Sequence, residues 1–146
     1  MKATHSAQII DLQSSISTVA ILQLTRFGDL IQTAQAVEEL RKNHPEYRVI
    51  LIGRAQFAKP LEFILKTMFD KIYYLDTKKI FDHSEIEGAR GSLNNLNFFL
   101  SDISSENIEV LINLSFNPVF AISIIFSSNI AFFMVCNKLC RLASSI

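Results

Sequence analysis

One pattern constrains this chain more than any other: short apolar, β-branched runs alternate with longer stretches of helical periodicity. TVAILQL (18–24), YRVILIG (47–53), KIYYLD (71–76) and EVLINLS (109–115) are the runs. Their apolar centres lack the strict polar alternation of a half-exposed strand, so they read as strands covered on both faces. Between the first two, Leu30, Ala34, Val37 and Leu40 recur at three- and four-residue spacing, while Glu38, Glu39, Arg41 and Lys42 take the other side. That spacing predicts a helix from Asp29 to about Asn43, stopped before Pro45. PLEFILKTMF (60–69) predicts a second helix with proline in its first turn, where a missing N–H costs least. A weaker helix is predicted over 84–103, interrupted by Gly88 and Gly91, then another at PVFAISIIF (118–126) and a fifth strand at IAFFMV (130–135). Strands alternating with helices imply crossover connections and a parallel sheet. The expected fold is α/β: a Rossmann-like parallel sheet with helices on both faces.

The 146 residues fit one such domain, read as 18–135 between an N-terminal leader (1–17) and a C-terminal tail (136–146). Fourteen basic residues balance fourteen acidic ones, which leaves no electrostatic footprint for nucleic acid. The opening MKATHSAQIIDLQSSIS has no continuous apolar core and contains Asp11, so it is not a signal peptide. Nothing between Glu109 and Lys138 is charged, yet the apolar run from Val119 to Val135 is broken by Ser123, Ser127, Ser128 and Asn129. It falls short of the ~20 apolar residues of a membrane span and reads as a buried helix and strand. Left uncovered, the same surface would drive self-association or adsorption to a membrane. Cys136 and Cys140 are four apart with no histidine after His83, and His5, His44 and His83 are scattered. Reduced thiols and no metal site are the reading.

The stretch LTRFGDLIQT (24–33) sits where the first strand hands over to the first helix. In a parallel sheet, ligands bind beyond the carboxyl ends of the strands, at the starts of the following helices. Gly28 there lets a ligand approach the main chain, the helix start favours an anionic group, and Arg26 brings a planar fork of donors. A purely structural account fits the same residues. Asp29 followed by Gln32 makes a variant of the capping box with Asp29 as N-cap, and Arg26 can simply be solvated. The glycines, at 28, 53, 88 and 91, form neither a dinucleotide-binding fingerprint nor a P-loop.

The segment VAILQLTRFGDLIQTAQAVEELRKNHPEYRVILIGRAQFAKPLE resembles the opening of family 9 glycosyltransferases, the ADP-heptose:lipopolysaccharide heptosyltransferases. Their L-x-R-x-G-D-x-x-x-T pattern, the proline after the helix and the glycine after the second strand are matched by Leu24, Arg26, Gly28, Asp29, Thr33, Pro45 and Gly53. IEVLINLSFNPVFA is similar to a later strand of that family ending in N-L-[ST], matched by Asn113, Leu114, Ser115 and Ala121. The resemblance runs from about residue 19 to 128. It implies the N-terminal half of a GT-B fold and metal-independent, inverting transfer of heptose from ADP-heptose to the lipopolysaccharide inner core. No resident cofactor is implied, the ADP-sugar being a substrate.

In this reading Asp29 is the general base, and Thr25, Arg26, Gly28, Asn113, Ser115 and Asn117 contact the acceptor or its anionic groups. The implied partners are the lipid A–core acceptor and, for want of a donor-binding half, a separately encoded donor domain or a second copy. Such a chain would be a truncated or split transferase, inactive alone, cytoplasmic and in peripheral contact with the inner membrane. The rival readings are a non-catalytic α/β binding module that keeps the anion-friendly turn, and a membrane-associated fragment.

Overall fold

The computed structural model describes residues 17–81, 88–115, 123–125 and 132–135. The leader up to residue 16, His5, His83, Asn117, most of the predicted 118–126 helix and the 136–146 tail with Cys136 and Cys140 lie outside the described residues. In chain order come β1 (Thr18–Gln23), α1 (Phe27–Asn43), β2 (Arg48–Arg54), α2 (Ala55–Ala58), a 3₁₀ turn (Lys59–Leu61) and α3 (Glu62–Met68). There follow β3 (Lys71–Leu75), α4 (Thr77–Phe81), α5 (Gly88–Ser104), β4 (Val110–Asn113) and β5 (Phe132–Val135). The five strands form one sheet in the order β3-β2-β1-β4-β5, and every neighbouring pair is parallel. The α/β architecture expected from the alternating runs is the one observed.

Strand periodicity divides the core in two, because successive side chains point to opposite faces. Every residue of β1 is buried. Ala20 and Leu22 pack with Ile50, Ile52 and Leu111 beneath Ile80 of α4 and Ile103 of α5. Ile21 packs with Val49 and Leu51 beneath Leu30, Ala34 and Val37 of α1, Ala58 of α2 and Leu65 of α3. Covering both faces explains why the strands read as continuous apolar runs. Ile124, in a helical turn at 123–125, is buried in the first of these clusters, so that part of the apolar run from Val119 to Val135 is core. No helix among the described residues is long and apolar enough to cross a membrane.

Some boundaries differ from the sequence reading. β1 stops at Gln23, and α1 begins at Phe27, two residues before Asp29. The helical run after β2 starts at Ala55, well before Pro60, which lies inside a 3₁₀ turn at its permitted early position. The short α4 has no counterpart in the prediction. Gly88 does not interrupt a helix; with φ of +47°, it supplies the left-handed entry from which α5 starts.

The amino ends of the strands are tied by one carboxylate. Glu106, buried just before β4, accepts hydrogen bonds from Lys71 and Tyr73 of β3 and pairs with Arg48 of β2 at 2.6 Å. Burial alone would raise its pKa; the bonds from Lys71, Tyr73 and Arg48 outweigh that and bring it down to about 2.

Candidate functional site at the carboxyl edge of the sheet

From β1 the chain moves outward through β2 to β3, whereas β4 and β5 lie on the other side of β1. The strand order therefore reverses between β1 and β4, and the crevice past their carboxyl ends is where an open α/β sheet takes ligands. The sequence-predicted residues gather there from two segments. Thr25, Arg26, Gly28 and Asp29 follow β1, while Asn113 ends β4 and Ser115 follows it. Leu22 is the register partner of Asn113, so the two segments leave the sheet side by side.

Both exits are built alike. At β1, the buried Gln23 accepts through Oε1 from the Thr25 hydroxyl (2.6 Å) and the Thr25 N–H (3.4 Å). At β4, the buried Asn113 accepts through Oδ1 from the Ser115 hydroxyl (2.7 Å) and the Ser115 N–H (3.0 Å). The sequences are Gln-Leu-Thr and Asn-Leu-Ser, the same amide–leucine–hydroxyl device twice. The Gln23 amide has one consistent orientation. Thr33 Oγ1 donates to the Asp29 carbonyl at 2.7 Å and so accepts from Gln23 Nε2 at 3.2 Å, leaving Oε1 for Thr25. A polar side chain inside TVAILQL was the signal for this arrangement; the sequence reading did not use it.

The start of α1 corrects the capping prediction. Arg26, not Asp29, is the N-cap, and Asp29 is the third helical residue. Its Oδ2 accepts the Arg26 N–H at 3.2 Å, the reach-back half of a capping box. Asp29 is half-buried, and among the described residues it has no ion-pair partner. Arg26 is exposed. A Cβ built on Gly28 would meet nothing within 4 Å, and no left-handed φ demands glycine there. Packing does not require Gly28; what the glycine provides is open backbone at the helix start.

A solved structure, the glycosyl transferase family 9 from Veillonella parvula DSM 2008, aligns with this chain at a TM-score of 0.63 and 19% identity. The alignment covers 82% of this chain and 32% of that one. The likeness is one of fold. The chain thus spans about a third of the length of the transferase it matches. No family model and no curated protein matches it.

The sequence reading missed Arg54, the last residue of β2. Its neighbour Gly53 is the register partner of Gln23, which sets Arg54 beside the β1 exit. The guanidinium carbon lies 5.3 Å from the centre of the Phe57 ring, and Phe57 meets Phe27 edge-on at 5.2 Å. Past the ends of β2 and β3 the same rim continues into a cavity of about 270 Å³ lined by Ala55, Gln56, Lys59, Asp76, Thr77 and Lys78. Among the described residues no three His, Cys, Asp or Glu side chains converge as metal ligands would.

Proposed function

We propose that this chain presents the acceptor in a glycosyl transfer reaction, with Asp29 as the base. The observation that carries the reading is the position of Asp29, a half-buried carboxylate at the switch-point crevice of a fold shared with a glycosyl transferase. An acceptor hydroxyl must lose its proton as it attacks the anomeric carbon, and a positioned carboxylate takes it. Thr25, Arg26, Gly28, Asn113 and Ser115 line the acceptor's approach, with Asn117 as a further contact. The finer assignment is heptose transferred from ADP-heptose to the lipopolysaccharide inner core, by the N-terminal half of a GT-B enzyme working with a donor-binding domain. The L-x-R-x-G-D-x-x-x-T pattern and the N-L-S strand end support it. The rival, a binding module in which Asp29 only shapes the helix start, draws on its bond from the Arg26 N–H.

The two readings separate in a transfer assay. The chain is combined with the donor-binding half of a family 9 transferase, and heptose transfer from ADP-heptose to deacylated lipopolysaccharide core is followed. Asp29→Asn is expected to lower turnover by about 10²–10⁴-fold while leaving the melting temperature nearly unchanged, since asparagine can accept the same N–H. Full turnover in the Asn variant would leave Asp29 a helix-start residue and nothing more.

A further inference from the structure

We infer that Arg54 is a preformed clamp for an oxyanion, a phosphate or carboxylate group of the ligand that enters the crevice. The assignment rests on the carboxyl edge being the ligand-facing side, and not on which sugar is moved. Arg54 Nε is buried and, among the described residues, has no hydrogen-bond partner. A guanidinium cannot shed its proton to escape burial, so an unmet N–H stands as an uncompensated cost. Buried donors in native structures are nearly always met, and an exception calls for an explanation.

The other half-buried arginines are satisfied. Arg41 donates to the Met68 carbonyl at 2.8 Å and pairs with Asp70 at 2.7 Å, and Arg48 pairs with Glu106. Among the described residues Arg54 alone of the three holds no carboxylate. It is held in place nonetheless. Phe57 attracts the charge but takes no N–H in the guanidinium plane, so the head group is braced without its donors being paired. Phe27, next to Arg26, supports Phe57 from the β1 side. Behind the arginine, a Cβ on Gly53 would come within 3.0 Å of the Ala58 Cβ, so the backbone there is already in close contact with α2. A fixed, unpaired planar donor fork suits an oxyanion that accepts in its plane.

The test titrates the full chain with inorganic phosphate, and separately with acetate, at constant ionic strength. Melting temperature and the Arg54 Nε–H resonance are followed. A response of that resonance to either anion supports the clamp and names its class; phosphate alone indicates a phosphoryl group, and acetate as well indicates any small oxyanion. Arg54→Gln should weaken binding about tenfold or more, the worth of a charge-assisted hydrogen bond, and leave the anion-free melting temperature unchanged or higher. The inference is overturned if neither anion moves the Nε–H, or if the Gln variant binds phosphate as well as the parent. It is also overturned if Arg54→Gln lowers anion-free stability as much as Arg41→Gln, which removes a satisfied structural arginine. Should the Gln variant fail to fold, the Nε–H resonance of the parent decides by itself. None of these readouts involves Asp29, so failure of the base assignment and failure of the clamp are seen separately.

Discussion

At the amino ends of β2 and β3 one buried carboxylate takes hydrogen bonds from Arg48, Lys71 and Tyr73; at the carboxyl end of β2 a half-buried guanidinium takes part in none through Nε among the described residues. The same contrast runs through the neighbouring residues. Near the amino end, Asp70 accepts the Val49 N–H at 2.7 Å while it pairs with Arg41, joining β2, α1 and the approach to β3. At the carboxyl end, Arg26 is exposed and Gly28 has empty space where a side chain would be. Both edges contain charged residues. One edge closes its interactions within the chain, and the other leaves them open. Polar residues alone therefore do not mark a site; the informative quantity is how many of their bonds the fold has already made.

Substitution should rank the two edges in that order. The largest loss is expected from Glu106→Gln, about 2–3 kcal/mol, below the ~3–5 of a fully buried pair because Arg48 and Lys71 reach solvent. Urea denaturation measures it, and pH adds a signature. The Glu106 carboxyl is held at about 2 against an ordinary 4.5. Its contribution is thus fully present above pH 4.5 and lost as pH falls toward 2. The urea midpoint of the parent should decline across that window, and the Gln variant should show a shallower decline. An unchanged acid profile would mean that the amino edge is no more closed than the other.

A smaller loss, about 1–2 kcal/mol, is expected from Asn113→Ala, because the buried Ser115 N–H is left without its acceptor. Asn113, like Gln23, is a carboxyl-edge group whose carbonyl is already used within the chain, so its cost should fall between the two extremes. The smallest effect is a gain. Gly28→Ala should raise stability by about 0.5–1 kcal/mol, since alanine is the better helix former and its Cβ meets nothing. A calorimetric melting temperature that falls instead would show that Gly28 serves the fold rather than the approach of a ligand.

How much of this was legible in the sequence depended on how local the cause was. TVAILQL and the Leu30–Ala34–Val37 spacing carry their own structure, so β1 and α1 were placed to within two residues or so at their ends. Alternation of elements implied a parallel sheet but not its strand order, so the clustering of Thr25 to Asp29 with Asn113 and Ser115 became visible only once β4 was placed beside β1. Short helices such as α4 have too few residues to show a period, and Gly88 could be read as a break because φ is invisible in a sequence. The state of Arg54 and of Glu106 was beyond reach for another reason. Each is defined by partners present or absent at distant positions: 48, 71 and 73 for Glu106, and none among the described residues for Arg54 Nε. Arginine at 48 and at 54 looks the same until the register is known.

The twin exits of β1 and β4 have one more consequence, which concerns the direction of hydrogen bonds. The hydroxyl protons of Thr25 and Ser115 are both committed inward, to Gln23 and Asn113. Only lone pairs remain on those two oxygens. Whatever approaches them has to bring its own hydrogen, so a hydroxyl or an ammonium group is received and a bare oxyanion is repelled. One strand away, Arg54 imposes the opposite requirement. The rim of the sheet is thus sorted by hydrogen-bond polarity, acceptors at the β1 and β4 exits and a donor at the end of β2.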